Sequence, residues 1–163
     1  MNAPPASQTF PVRPLRRDDL ERLVSIDKAH TGNARRRFME KRLAAAVERP
    51  DEHLQVGVEH DGQLVGFALG RMLYGEFGQL EPVAVLDAMG VDPSSQEHGF
   101  GHALIQGVET LARRQGVHWL HTQADWTSHG LLRFFDSAGF KLGQRVVLER
   151  DTSRPIVEPE SET

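Results

Sequence analysis

Apolar residues along this chain recur at two spacings, and the switches between those spacings mark its elements. Phe10, Val12 and Leu15 alternate with Pro11 and Pro14, so residues 10–15 read as a short extended stretch at a sheet edge. Asp18 or Asp19 then stands where a helix cap is needed, ahead of Leu20, Leu23 and Val24 on one helical face. A second helix from about Ala34 carries Met39, Leu43, Ala46 and Val47 and stops at Pro50. The stretch between the two, AHTGN at residues 29–33, is expected to be a loop.

Residues 54–59 and 63–72 are strand-like runs on either side of His60, Asp61 and Gly62, and Asp-Gly between such runs predicts a hairpin. YGEFGQLEP, residues 74–82, reads as a loop. Residues 83–91 are nearly all apolar over strand length, the pattern of a strand covered on both faces. Leu104, Ile105, Val108, Leu111 and Ala112 form a helical stripe that Gly116 ends. Residues 117–123 read as a strand, 131–137 as a helix stopped by Gly139, and 140–149 as one or two final strands. The order implies a mixed α/β sheet with helices on both faces.

A length of 163 residues with 39% hydrophobic and 26% charged positions fits one globular domain. Residues 8–150 form the expected folded unit, with residues 1–7 and 151–163, rich in proline and acid, as solvated tails. No apolar run is long enough to span a bilayer, and the N-terminus lacks the basic and apolar segments of a secretory signal, so a cytoplasmic protein is expected. Zero cysteines exclude disulfides, thiolate metal ligands and a cysteine nucleophile. A net charge of −4 without a sustained basic run argues against nucleic acid and leaves a small molecule or protein surface as partner.

Chemistry concentrates in VDPSSQEHGFGHALIQGVETLARR, residues 91–114. A helix starts there immediately after Gly99 and Gly101, and the first N–H groups of a helix attract anions, phosphate above all. Glycine at these positions permits unusual dihedrals and removes Cβ atoms that would hold a diphosphate away. The bland alternative is a tight strand-to-helix turn. A Walker loop is excluded because His102 and Ala103 follow Gly101, and a dinucleotide fingerprint is excluded because Leu104 stands where its third glycine belongs.

Gln96-Glu97-His98-Gly99-Phe100-Gly101 resembles the Gln/Arg-x-x-Gly-x-Gly/Ala signature of the GCN5-related N-acetyltransferase (GNAT) family. Val91-Asp92-Pro93 and the FFDSAGF of residues 134–140 are similar to that family's strand ending and C-terminal motif. The resemblance implies a central sheet that splays open beside Val91, with acetyl-CoA as cosubstrate in the gap. Backbone N–H groups of Gly99, Phe100, Gly101, His102 and Ala103 would hold the pyrophosphate. Main-chain groups of Met89, Gly90 and Val91 would pair with the pantetheine, with Gln96, His98, Ser128 and Phe134 lining the site. The implied reaction is direct acetyl transfer to a primary amine, on a small molecule or a protein.

The chain departs from the family at Phe135, where the resemblance places a tyrosine that protonates the departing thiolate. Tyr74 is the only tyrosine. Asp87 is the candidate base, because a carboxylate in so apolar a strand needs a reason. By strand alternation it shares a face with Val85, Met89 and Val91. The competing role for Asp87 is an ion pair with an arginine such as Arg71. Glu81 is a second candidate base, and Tyr74 a contact for the acceptor. His98 and His102 lack the further ligands a metal site requires, so no metal is expected. Edge strands near the N-terminus and at residues 146–148 are available to pair between chains, which leaves a homodimer open. A non-catalytic CoA-binding module and a ligand-free structural domain are the competing functions.

Overall fold

The structure, a computed structural model, describes residues 10–156. The tail expected at residues 1–7 lies outside the described residues, as does the part of the C-terminal tail beyond residue 156. Five strands form one sheet in sequential order: β1 (Val12–Arg13), β2 (His53–His60), β3 (Gln63–Leu73), β4 (Val83–Val91) and β5 (Leu120–His121). The first four are antiparallel neighbours, and β5 runs parallel to β4. Four helices accompany them: α1 (Leu20–Thr31), α2 (Arg36–Glu48), α3 (Phe100–Arg114) and α4 (His129–Ser137).

The sheet separates two apolar cores. On one face Leu23 and Ile26 of α1 and Met39 and Leu43 of α2 pack with Leu64, Phe67, Leu69 and Ala88. On the other, Leu104, Ile105 and Val108 of α3 and Phe135 of α4 pack with Val56, Val58, Ala68 and Leu86. The stripes that face these cores on α1, α2 and α3 follow the helical periodicity, and the mixed α/β architecture with helices on both sides is present. The β2–β3 hairpin turns at Asp61 and Gly62, both with positive φ (50° and 74°), which is what a two-residue primed turn demands.

Several expected boundaries move. Residues 29–31 belong to α1, because the helix stops only at Gly32, in the left-handed region at φ 73° with its N–H on the Lys28 carbonyl. Neither Asp18 nor Asp19 caps α1 through its side chain. The Asp19 carboxylate instead accepts from the Arg16 N–H (2.7 Å) and from both Arg13 Nη atoms (2.8 and 2.9 Å), tying the edge strand to the helix entrance. Burial pushes the Asp19 carboxyl up, but those donors outweigh it and hold it below its ordinary range. The strand expected at residues 117–123 shrinks to two residues, and residues 140–149 form none. Val146, Val147 and Leu148 are 81%, 63% and 87% exposed, because no ladder reaches them from so short a β5.

One irregularity in the sheet governs the site. Gly70 pairs with Leu86 and Leu69 with Ala88, so Asp87 is an extra residue in β4, a β-bulge. The simple alternation expected through Asp87 is therefore broken. Leu86 packs in the α3-side core and Ala88 in the α1/α2-side core, while Met89 returns to the α3 side. Gly70 sits opposite this point, where an added Cβ would lie 2.6 Å from the Val85 carbonyl oxygen. Backbone cannot give way as a side-chain tip can, so Gly70→Ala is expected to cost about 3 kcal/mol, the upper end for overpacking. Urea denaturation checks this as a fall in the midpoint with little change in slope.

Candidate functional site

The bulge opens the sheet. Ala84 donates its N–H to the Trp119 carbonyl (2.9 Å), and β5 is paired with β4 only at Ala84–Leu120 and Val85–His121. One step later the Thr122 hydroxyl, not a backbone N–H, reaches the Leu86 carbonyl (3.1 Å). Beyond it, among the described residues, no strand accompanies β4. A bulge bends and twists its strand, which is why the separation begins here. The extra residue also reverses which main-chain groups face outward. Before it, Ala84 and Leu86 face β5. After it Asp92 turns its N–H back to the Val65 carbonyl of β3 (2.7 Å), while the Val91 carbonyl receives His30 Nε2 (2.6 Å). Alternation then puts Met89 on the same open edge as Val91. Gly90 faces α1, where an added Cβ would meet Ile26, Phe67 and His30 at 3.0 to 3.4 Å.

The open edge leads into the glycine turn. Asp92 caps a single 3-10 turn (Pro93–Ser95) by accepting from the Ser94 N–H (2.9 Å) and hydroxyl (2.6 Å). Those two donors, with the Arg22 guanidinium behind them, hold Asp92 below the usual carboxylate range. Gln96 is exposed, its side-chain amide 3.5 Å from the Val91 carbonyl, and the exposed His98 ring donates from Nδ1 to the Gln96 carbonyl (2.7 Å). Gly99 caps α3 in the left-handed region at φ 88°.

The two glycines are there for different reasons. At Gly99 the backbone requires one, since a side chain in that conformation costs roughly 1–2 kcal/mol. At Gly101 a Cβ would lie 2.8 Å from the Phe134 ring, so that glycine lets α4 close onto α3. Phe100 between them is a core residue, 2% exposed, its ring tilted at 47° against Phe10 with centroids 4.4 Å apart, so only its backbone is available. The Ala103 N–H donates to the Gly99 carbonyl (3.1 Å), which removes it from the expected donor set. The N–H groups of Phe100, Gly101 and His102 precede Ala103, the first intrahelical donor, and have no carbonyl within the helix to donate to, so they are the groups that can receive an anion. The His102 ring lies edge-on to Phe134, with Nε2 3.1 Å from the Ser137 hydroxyl. Because Ser137 donates to the Phe134 carbonyl (2.7 Å), His102 is the donor in that pair. Ser128 precedes α4 without a side-chain cap, its carbonyl receiving the Leu132 N–H (3.0 Å).

Asp87 does not stand free. Arg71 Nε lies 3.1 Å and Arg42 Nη2 3.5 Å from Oδ2, with the carboxylate only 12% exposed. The ion-pair role left open by the sequence is the one present, with Arg42, whose guanidinium lies 5.5 Å from the Phe38 ring centroid, as a second partner that periodicity gave no reason to choose. Glu81 and Tyr74 are exposed at the connection between β3 and β4. Tyr74 borders an open depression of about 660 Å³ lined also by Arg42, Arg49, Glu52, His53, Arg71 and Met72. Phe135 is 7% exposed and packs against Phe134 and Phe140, so the place expected for a tyrosine is part of the core. Among the described residues, no three His, Asp or Glu side chains gather as metal ligands, and no helix is long and apolar enough to cross a membrane. Sequence reasoning missed Arg22 and His30, whose spacing with Ile26 at i, i+4 and i+8 was the available signal.

Comparison with known proteins bears on the family and the fold. The model of the acetyltransferase (GNAT) family matches residues 18–140. Mycothiol acetyltransferases of Nocardiopsis dassonvillei and Acidothermus cellulolyticus are each 34% identical, over 82 residues (47% of this chain) and 103 residues (56%). The matched segments are 24% and 31% of those proteins, so the chain spans about a quarter to a third of the length of the curated relatives it matches. An aminoglycoside antibiotic 6'-N-acetyltransferase from Acinetobacter baumannii superimposes with a TM-score of 0.72 at 19% identity, covering 88% of this chain and 98% of the other. An aminoglycoside N-acetyltransferase in complex with CoA gives 0.75 at 18% identity, over 92% and 99%. At such identities the structural likeness shows the fold.

If Asp87 anchors the bulge through its two arginines, Asp87→Asn leaves two cations without their counter-ion. The expected loss is about 2 kcal/mol of stability, reduced from the fully buried case because both guanidinium groups are partly exposed. Chemical denaturation measures it, and unchanged stability would sink the anchor role.

Proposed function

The chain belongs to the acetyltransferase (GNAT) family, and from that premise we propose that it transfers an acetyl group from acetyl-CoA directly to a primary amine. The observation that carries this reading is the continuous path from the open β4 edge at Met89 and Val91 to the unpaired N–H groups at the start of α3. An extended amide-bearing arm can add to such an edge as a further strand, and its diphosphate end then meets the helix N-terminus. Both parts fit this ligand. The gap admits the arm, and Gly99 gives the turn its left-handed backbone.

In the transfer, the neutral amine nitrogen attacks the thioester carbonyl carbon, a C–N bond forms, the C–S bond breaks and sulfur leaves with the electron pair. Main-chain N–H at the Met89 edge is placed to hold the carbonyl oxygen as charge develops there. The amine proton goes to solvent or to Glu81, the carboxylate at the entry to β4. Asp87, held by Arg42 and Arg71, acts as an anchor rather than as the base. With Phe135 in the core, the thiolate takes its proton from water or from the exposed Tyr74. The acceptor enters on the side of the arginine-lined depression beside Tyr74. The two curated relatives and the two structural neighbours described above carry the names of small molecules, mycothiol and aminoglycosides, which supports a small-molecule amine over a protein amine.

The buried Phe135 favours a second reading, a CoA-binding module without catalysis. Thermal stabilisation by acetyl-CoA and CoA tests both readings. A rise of several degrees at saturating ligand is expected, and no rise with either ligand refutes both. Mass spectrometry of an amine panel incubated with acetyl-CoA then separates them, with an adduct of 42 Da, roughly the mass added in any acetylation, expected above the uncatalysed background. Background-level product across the panel would leave the module.

We also propose that the exposed run at Val146, Val147 and Leu148 pairs with the sheet of a second copy of the chain. Strand-forming residues without a ladder and a two-residue β5 with no strand beyond it, among the described residues, are complementary needs. Light scattering is expected to give twice the monomer mass, and Val147→Lys to shift it to the monomer. A monomer in the unsubstituted protein would refute the pairing.

A further inference from the structure

Helix α1 crosses the point where β4 leaves the sheet, and three of its residues, one helical turn apart, grip three consecutive residues there. Arg22 donates from Nε to the Leu64 carbonyl (2.8 Å) and from Nη2 to Asp92 Oδ2 (2.5 Å). Ile26, 1% exposed, packs where a Cβ on Gly90 would come within 3.0 Å of it. His30, in the last turn, reaches the Val91 carbonyl (2.6 Å) through Nε2, which must carry the proton because a carbonyl only accepts.

We infer that Arg22 and His30 are positioning residues for the acyl-CoA site: α1 sets the angle at which β4 passes into the phosphate turn. The inference rests on the acetyltransferase reading above and adds residues to it. The oxygens of the Asp92 carboxylate do two jobs. Oδ1 shapes the 3-10 turn through Ser94, and Oδ2 is held by Arg22. The turn that leads to Gly99 is thus referenced to α1 and, through Leu64, to the start of β3. Arg22 suits this use because one guanidinium serves a carbonyl and a carboxylate at once, which a lysine ammonium does not do with fixed geometry. His30 fixes the Val91 carbonyl at the far end of the open edge. A tenfold loss of binding corresponds to about 1.4 kcal/mol, no more than one charge-assisted hydrogen bond is worth, so loss of the Arg22 contact is enough to produce it.

The test is calorimetric titration of the full chain with CoA, together with acetyl-CoA kinetics on whichever amine the panel identifies. Arg22→Ala is expected to weaken CoA binding about tenfold. The KM for acetyl-CoA should rise by a similar factor, with kcat and the acceptor KM within about twofold. The ligand-free melting temperature should stay within a few degrees, because Arg22 is 34% exposed. Asp92→Asn, which keeps an oxygen for Ser94 but presents an amide or a neutral oxygen to Arg22, should reproduce the effect. Combining the two should add little, as expected of partners in one contact. His30→Gln retains an N–H donor for Val91 and should bind CoA nearly as well as the unsubstituted protein, whereas His30→Ala should not. If Arg22→Ala does not fold, Asp92→Asn and the His30 pair decide. CoA binding by the unsubstituted protein with equally tight binding by these variants overturns the inference alone. No CoA binding by the unsubstituted protein overturns the acetyltransferase reading and this inference with it.

Discussion

One extra residue in β4 is the constraint on which the rest depends. Inserting Asp87 against the Leu69–Gly70 step bends the strand, detaches it from β5 after Leu86 and turns Met89 and Val91 outward. Without it, β4 would lie in register with both neighbours, and the backbone groups now on the open edge would be spent on a ladder. The bulge is not free to slip, since Arg71 from β3 and Arg42 from α2 hold the Asp87 carboxylate and Gly70 leaves room for the Val85 carbonyl. A polar residue in an apolar strand here serves geometry first.

The glycine turn shows how one short motif meets several requirements. Gly99 answers to backbone conformation, Gly101 to the Phe134 ring, and Phe100 between them to the core. Anion attraction comes from N–H groups that every helix start possesses. The turn is distinctive because the open edge of β4 leads directly into it. The site is thus a relation between two elements, and neither one would define it alone.

That division explains what could be read from the sequence. Local signals were legible: Asp61-Gly62 for the hairpin, the Leu104–Ile105–Val108 stripe for α3, and the apolar run for β4. The bulge was not, because an inserted residue changes pairing with a neighbour while leaving propensity untouched, so alternation through Asp87 gave the wrong faces. Residues 140–149 have strand composition but no partner within reach, and pairing is decided by the partner. Arg22 and His30 were invisible singly, since their meaning depends on Asp92 and Val91, about 60 to 70 positions away.

The sheet keeps two apolar cores apart, one built with α3 and α4 and the other with α1 and α2. In the function proposed above, the first core backs the acyl-donor site and the second stands beside the arginine-lined depression assigned to the acceptor. Substitutions that reshape one core need not disturb the other, so a lineage can exchange its acceptor while inheriting its donor machinery intact. The exception is the row of Arg22, Ile26 and His30, which makes α1 answerable to both. It is where drift toward a new acceptor would first be held back.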